Sequence, residues 1–288
     1  MNNDLAARLE AHVVHLAGLG EKSTRRRGQL AAAVEYIATE LAAAGLEIER
    51  QTYSADGVPS TNLDASFPGF TRTSPHLLIG AHYDSAHGTP GADDNCSAVA
   101  LLIELAHHFG RHSPAAALRF AAFANEEPPH FHSGTMGSMV FARQCRSRGD
   151  ALRAMICLES LGVFSDDPDT QALPPGVEHL IPKGFRADVG NFVAIIDDGR
   201  DPALFADFCA GFSTPAAIPA LPATLPHLGV SDHWSFWQCD YPAIMLTDTA
   251  MFRNEHYHAA SDTPEKLDYQ RMAAVFEATC HAVAAVLP

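Results

Sequence analysis

Ionisable side chains fall at the ends of apolar segments in this chain, where carboxylates and imidazoles can share a metal ion or handle a proton. His82-Tyr83-Asp84 closes the run Leu77-Leu78-Ile79-Gly80-Ala81. Asn125-Glu126-Glu127 follows the stretch from Leu118 to Ala124, and Glu159 follows Ala154 to Leu158. Gly91-Ala92-Asp93-Asp94-Asn95 is a glycine-led acidic loop, and Tyr257-His258 precedes Asp262-Thr263-Pro264-Glu265. Taken singly, each has a plainer reading. His82 could be a core or surface histidine, and Asp84 a turn residue. Asp93-Asp94-Asn95 could cap a helix and fill its acidic first turn. Glu126-Glu127 could be an exposed strand end, and Glu159 a solvated loop acid. Their joint occurrence at successive strand ends favours one shared site. Isolated buried carboxylates are costly, and metal coordination offsets that cost.

The elements that must position these groups can be read from periodicity. Leu5, Leu9, His12, Val13 and Leu16 recur at helical spacing, and a second helix runs from about 24 to 44 with Gly45 as its C-cap. Residues 46–53 alternate as a half-buried strand, and 62–67 is a short strand candidate. Strands at 77–81, 118–124, 154–158, 191–196 and 243–247 then alternate with helices at 95–109, 133–148 and 269–287. This rhythm predicts a three-layer α/β/α sandwich around a mixed, largely parallel sheet. In such a sheet, ligands bind outside the carboxyl ends of the strands, where the ionisable residues fall. The Pro-rich stretches 168–182 and 215–226 read as ordered loops packed over the body, not as linkers. Residues 1–288 are therefore expected to form a single domain, with loop insertions around 162–190 and 211–235 near the site.

Composition narrows the partners. Apolar residues make up 47% of the 288, enough for a large core, so disorder and a bare coiled coil are excluded. Asp and Glu outnumber Lys and Arg by 34 to 19, a net charge of −15, which argues against nucleic acid and anionic membrane surfaces. Six cysteines without a CxxC spacing form neither a disulfide framework nor a zinc ribbon and are read as small buried apolar residues. Sixteen histidines raise the prior for a metal or acid–base site without locating it. No apolar run reaches the roughly 18–20 residues that span a bilayer. Asp4, Arg8, Glu10 and His12 interrupt any signal-like segment, so a cytoplasmic location is expected.

In order and content, these motifs resemble peptidase family M28, zinc aminopeptidases with a co-catalytic metal pair. The resemblance rests on Gly80-Ala81-His82-Tyr83-Asp84-Ser85, Gly91-Ala92-Asp93-Asp94-Asn95 and Asn125-Glu126-Glu127-Pro128-Pro129, then Leu158-Glu159-Ser160-Leu161-Gly162, Ser231-Asp232-His233, and Tyr257-His258 through Asp262-Thr263-Pro264. It implies a zinc-exopeptidase fold and two zinc ions per chain. His82 would ligate one zinc, Glu127 would ligate one and Glu159 the other, His258 would complete the set, and Asp94 would bridge the two ions. Asp84 would orient His82, and Glu126 would be the general base that takes a proton from the attacking water. Asp93 is the less favoured neighbour of the bridge. Zinc suits this mixed nitrogen and oxygen set, which also admits cobalt or manganese. The implied partner is a peptide with a free N-terminus.

Pro128-Pro129 departs from the small or glycine-containing sequence more common in the family and resembles a bacterial subgroup. Residues 166–226 match no motif, which leaves substrate recognition unread. Ser231 to Trp237 is either a pocket wall, with Asp232 or His233 near the metal site, or an aromatic core patch behind a polar loop. Arg253 contacts substrate or pairs with an acid, His256 is structural or exposed, and Asp262 holds the loop behind His258. Trp234, Phe236, Trp237 and Phe252 suggest an apolar wall for the first substrate residue. Two other functions compete. Glutaminyl cyclases share the implied fold and generally use one zinc, and a zinc-binding protein without catalysis would have no need of Glu126.

Overall fold

The structure is a computed structural model that describes residues 3–111, 117–214 and 217–288. Eight strands form one sheet: β1 (Glu47–Ala55), β2 (Val58–Ser66), β3 (His76–His82), β4 (Leu118–Phe123), β5 (Leu152–Glu159), β6 (Val193–Asp197), β7 (Ala220–Thr224) and β8 (Ala243–Thr247). Their order is β1-β2-β4-β3-β5-β8-β6-β7. The central β4-β3-β5-β8 strands are mutually parallel, β6 runs antiparallel to β8, and β1 and β2 form an antiparallel hairpin. The predicted mixed α/β sandwich is therefore present.

Alternation along the strands assigns the two faces. Leu77, Ile79 and Ala81 face the larger core with Ile156, Leu158, Val193, Ile195, Ile244 and Leu246. That core is closed by α1 (Asn3–Gly18), α2 (Arg27–Ala43), α3 (Ala98–Arg111), α5 (Pro202–Ser213) and α7 (Tyr269–Val286). Leu78, Met155, Cys157, Ala194, Ile196 and Met245 face the other way, toward α4 (Gly137–Arg148) and α6 (His233–Gln238). Burying each large aliphatic side chain contributes about 1.5–3 kcal/mol, so the parity of every central strand is strongly determined.

The second face is not covered by helices throughout. Over β8, β6 and β7 it carries the segments around 171–181 and 225–230 in place of a helix, and an apolar pocket lies beneath them. Within the 162–190 segment, residues from Gln171 to Ile181 border this cavity. The 211–235 stretch departs from the loop reading: it includes the end of α5, all of β7 and the start of α6. Pro222 lies within β7, which pairs only with β6, and an edge strand tolerates a proline that a central strand would not. The smaller differences have local causes. The expected helix from 95 to 109 starts regularly only at Ala98, because residues 92–97 make an irregular wide turn around Asp94 and Asn95. The expected helix from 133 begins at Gly137, after turns that carry His132 and Ser133. All six cysteines are free, four of them buried. Among the described residues no helix is long and apolar enough to cross a membrane.

Candidate metal centre

Sheet register brings the first two groups together. Gly80 on β3 pairs with Cys157 on β5, so His82 and Glu159, two residues further along each strand, end side by side on the same face. His82 also pairs with Phe123 on β4, which places Asn125-Glu126-Glu127 just beyond the adjacent strand end. Asn125 and Ser160 take left-handed backbone conformations, with φ of 60° and 43°, turning the chain sharply at these ends. His258 does the same, with φ of 56°. Strained positions of this kind persist where surrounding contacts over-determine them, and they concentrate at functional sites.

The side chains converge on Asp94. Its Oδ1 lies 3.3 Å from His82 Nε2, and its Oδ2 lies 3.0 Å from His258 Nε2. Glu159 Oε2 approaches the same His82 nitrogen at 3.2 Å, and Glu127 Oε2 approaches His258 Nε2 at 3.2 Å. Two groups that could each hold a metal ion result, His82-Asp94-Glu159 and Asp94-Glu127-His258, with Asp94 common to both. Glu126 stands slightly apart, with Oε2 4.0 Å from His82 Nε2. All these residues are buried except His258, whose side chain is one-third exposed.

The electrostatics express crowding of acids. Burial pushes Glu126 well above the usual carboxylate range, opposed by His82 and reinforced by Glu127 and Glu159. Burial and the charge of Asp94 push Glu127 up to about 8. Burial works the same way on Asp94, but the imidazoles of His258 and His82 on its two oxygens outweigh it and hold it far below its ordinary value. Burial opposes the charging of His258, yet hydrogen bonds to Asp94 and Glu127 raise it to about 10. The donor set fits divalent cations: each group offers one imidazole nitrogen and carboxylate oxygens within 4.8 Å of one another. Glu127 Oε1 is buried without a hydrogen-bond partner, as an oxygen reserved for a cation would be.

The surroundings hold these groups in place. Asp84 Oδ1 and Oδ2 accept from the backbone N–H groups of Glu126 (3.0 Å) and Glu127 (3.1 Å), while Oδ1 lies 3.6 Å from His82 Nδ1. The Asp84 carboxylate therefore positions the main chain of Glu126 and Glu127 beyond β4, while His82 Nδ1 donates to the Asp84 backbone carbonyl at 3.3 Å. The Asp262 carboxylate accepts from the N–H groups of Asp93 and Asp94, so it holds the loop of Asp94 and not the loop behind His258. Asp93 points away from the cluster, accepting from Gly162 N–H (2.9 Å) and Asn254 Nδ2 (3.0 Å). Ser231 Oγ donates to Glu159 Oε2 at 2.6 Å. Gly91, with φ of 64°, packs where a Cβ would collide with the Asp94 carbonyl. Sequence spacing gave no signal for the Asp84 and Ser231 bonds, because both join segments far apart in the chain. We expect Asp84→Asn to weaken metal binding by about 10–100-fold, since one amide face would confront a backbone N–H with another donor. Competition against a fluorescent chelator measures this, and unchanged affinity would remove Asp84 from its positioning role.

The remaining candidates separate cleanly. Asp232 is fully buried with no hydrogen-bond partner on either oxygen, and burial, opposed by His82, raises it to about 7. His233 Nε2 donates to the Leu228 carbonyl, and burial lowers the ring to about 4. Phe236 and Trp237 are core residues packed with Phe123, Phe141 and Tyr241, and Trp234 stacks on His132, so of the proposed aromatic wall only Phe252 lines the pocket. Arg253 donates to Gln171 Oε1 and to the carbonyls of Val163 and Phe192, which makes it a loop clamp and not a substrate contact. His256 is half-buried, with Nδ1 3.1 Å from Ser261 Oγ.

The pocket opens beside Glu159, Thr247 and Tyr257; its cavity volume is about 80 Å³, within a wider empty space of about 820 Å³ that includes open solvent. Its walls are almost wholly apolar, with Phe192, Ile196, Leu221, Leu228, Met245 and Phe252 among them.

Comparison with known proteins gives a consistent lineage. Residues 62–283 match the family model of Peptidase family M28. The chain is 36% identical to uncharacterized protein YfbL of Escherichia coli (strain K12) over 84% of this chain and 76% of that one. It is 34% identical to a "Probable zinc metalloprotease" of Pyrenophora teres f. teres (strain 0-1) over 35% of this chain and 23% of that one. A "Probable leucine aminopeptidase" of Trichophyton verrucosum (strain HKI 0517) is 27% identical over 73% of this chain; the chain spans about half, 53%, of its length. Among solved structures, Legionella pneumophila LapA aminopeptidase superposes with a TM-score of 0.75 at 15% identity, covering 100% of this chain and 75% of that one. Porphyromonas gingivalis glutaminyl cyclase gives 0.76 at 18% identity, covering 97% of each. These two likenesses speak to the fold alone. With most of its length matched to the family model and its motifs in one cluster, the chain belongs to peptidase family M28.

Proposed function

We propose that this chain is a zinc aminopeptidase that binds two zinc ions and hydrolyses the N-terminal peptide bond of peptides carrying a free α-amine. The observation that carries this reading is Asp94 shared between two complete ligand groups, with Glu126 beside them. Zinc held by His82, Asp94 and Glu159 and by Asp94, Glu127 and His258 would polarise the scissile carbonyl and acidify the attacking water. Glu126 accepts that water's proton and delivers it to the leaving amine. Asp84 orients the His82 ring through its backbone carbonyl and, through its carboxylate, the backbone from which Glu126 and Glu127 project. The apolar pocket beside Glu159 takes the first side chain. The surplus of carboxylates in the cluster beside the pocket suits the substrate's ammonium group.

Cyclisation of an N-terminal glutamine is the runner-up. That chemistry uses a single zinc, whereas here a second ligand group is complete, which favours hydrolysis. The test compares free and N-acetylated forms of one peptide, followed by a panel varying the first residue. We expect acetylation to lower kcat/KM by about 100-fold or more, and Leu, Met or Phe to exceed Gly or Asp by about 10–200-fold. Equal turnover of the acetylated peptide would sink the aminopeptidase reading. Conversion of a Gln-leading peptide to the pyroglutamyl peptide with release of ammonia, without peptide-bond cleavage, would establish the cyclase. Preference for a charged first residue would remove only the pocket assignment.

A further inference from the structure

Two segments hydrogen-bonded to the ligand candidates Glu127 and Glu159 carry an aromatic stack that the proposed reaction does not use. Phe131 and His132 stack with ring centroids 4.0 Å apart and planes 18° apart. His132 and Trp234 stack at 4.1 Å and 24°. The three rings come from two segments, and both are tied to ligand candidates. His130 N–H donates to the Glu127 carbonyl at 3.0 Å, which fixes the turn before Phe131. Ser231 Oγ donates to Glu159 Oε2, which fixes the segment leading into Trp234. The stack is thus anchored to a residue from each ligand group.

Its central ring is held in an unusual way for a surface side chain. His132 is exposed, yet its backbone is left-handed, with φ of 56°. Its Nε2 donates to the Gly229 carbonyl at 2.5 Å, and Gly229 packs where a Cβ would collide with Trp234. Leu228 and Val230, on either side of Gly229, line the apolar pocket. One short segment therefore forms the pocket wall with its side chains and supports the stack with its backbone. Val230 and Met251, two of the most exposed large apolar residues among those described, both stand at the pocket lining.

The sheet order gives the direction. The pocket lies over β8, β6 and β7, the cluster lies at the ends of β3 and β5, and the segment carrying Phe131 and His132 follows β4 on the other side. A peptide with its first side chain in the pocket and its scissile bond at the cluster continues toward β4. We propose that Phe131, His132 and Trp234 form the subsite for the second substrate residue and select a planar, aromatic side chain there. This rests on the aminopeptidase reading above. Rings held rigidly in a stack offer apolar area and favourable ring–ring geometry at little ordering cost. They are specificity-determining residues and take no part in proton transfer.

The test uses the zinc-loaded protein with the amides of Leu-Gly, Leu-Ala, Leu-Phe and Leu-Trp. We expect KM for Leu-Phe to lie about five- to tenfold below that for Leu-Gly, with kcat within about twofold. His132→Ala and Trp234→Ala should abolish that difference. His132→Phe, which keeps a stackable ring, should retain it and covers the case in which an alanine variant fails to fold. Binding has a second readout. Trp237 is buried and donates Nε1–H to the Ala243 carbonyl at 3.0 Å, so a ligand-dependent change in emission reports Trp234. Titration of Leu-Phe amide into the Glu126→Gln protein should shift that emission, and Leu-Gly amide should shift it much less. Cleavage of all four amides without discrimination, or discrimination that survives both alanine variants, would overturn the subsite and leave the aminopeptidase standing. Failure to cleave any of them would overturn both.

Discussion

Glu126→Gln should keep its full metal content and lose about 10²–10⁴-fold in kcat. The amide preserves the size of the side chain and still accepts a hydrogen bond from water, but it cannot take a proton. Metal content should survive because Glu126 is the outlying carboxylate of the cluster, 4.0 Å from His82 Nε2, where Asp94 and Glu159 lie at 3.3 and 3.2 Å. The backbone at Glu126 is also unaffected, since Asp84 holds it through the main-chain N–H. Metal by mass spectrometry and kcat must be measured on one preparation. Near-normal kcat would show that Glu126 is not the base. Loss of metal together with activity would show that it is a ligand.

Asp94→Ala should be the most damaging single change to metal binding, because it removes an oxygen from both ligand groups at once. An outer contact to a ligand typically contributes 10–100-fold in affinity, so loss of the shared ligand should exceed about 100-fold at each position. Glu159→Ala provides the contrast. It removes an oxygen only from the His82 group and leaves Asp94, Glu127 and His258 in place. After equilibration in zinc-buffered solution, we expect about two zinc ions per unmodified chain, about one in Glu159→Ala, and well below one in Asp94→Ala. Two ions retained in Asp94→Ala would refute the bridging role. A single ion in the unmodified chain, resistant to added zinc, would refute the two-zinc reading and favour the cyclase.

The two parts of the molecule were legible to different degrees. The central strands could be placed because strands buried on both faces are short apolar runs bounded by polar turns, as at 77–81 and 243–247. Periodicity does not mark α5 and β7. Their composition is ordinary for loops as well as for elements, and β7 exists only through its pairing with β6. The stretch from Ser231 to Trp237 was ambiguous for a related reason. Apolar aromatic residues suit a pocket or a core equally, and only packing puts Phe236 and Trp237 in the core and Trp234 in a surface stack.

By itself the sequence determined which residue types terminate the central strands and that they are acids and histidines, because strand ends and apolar periodicity are local properties. It also set the alternation that sends His82 and Glu159 to one face. Tertiary structure decided everything that depends on distance across the chain. It split the ligand candidates into two groups about a shared Asp94, turned Asp93 toward Gly162 and Asn254, and assigned Asp262 to the backbone of residues 93 and 94. It also opened a pocket where loops, in place of a helix, cover β6 and β7. The physical reason is the range of the interactions: periodicity and capping act over a few residues, whereas a carboxylate shared between two imidazoles is defined by contacts between residues 82, 94 and 258, which only the folded sheet brings within hydrogen-bonding distance.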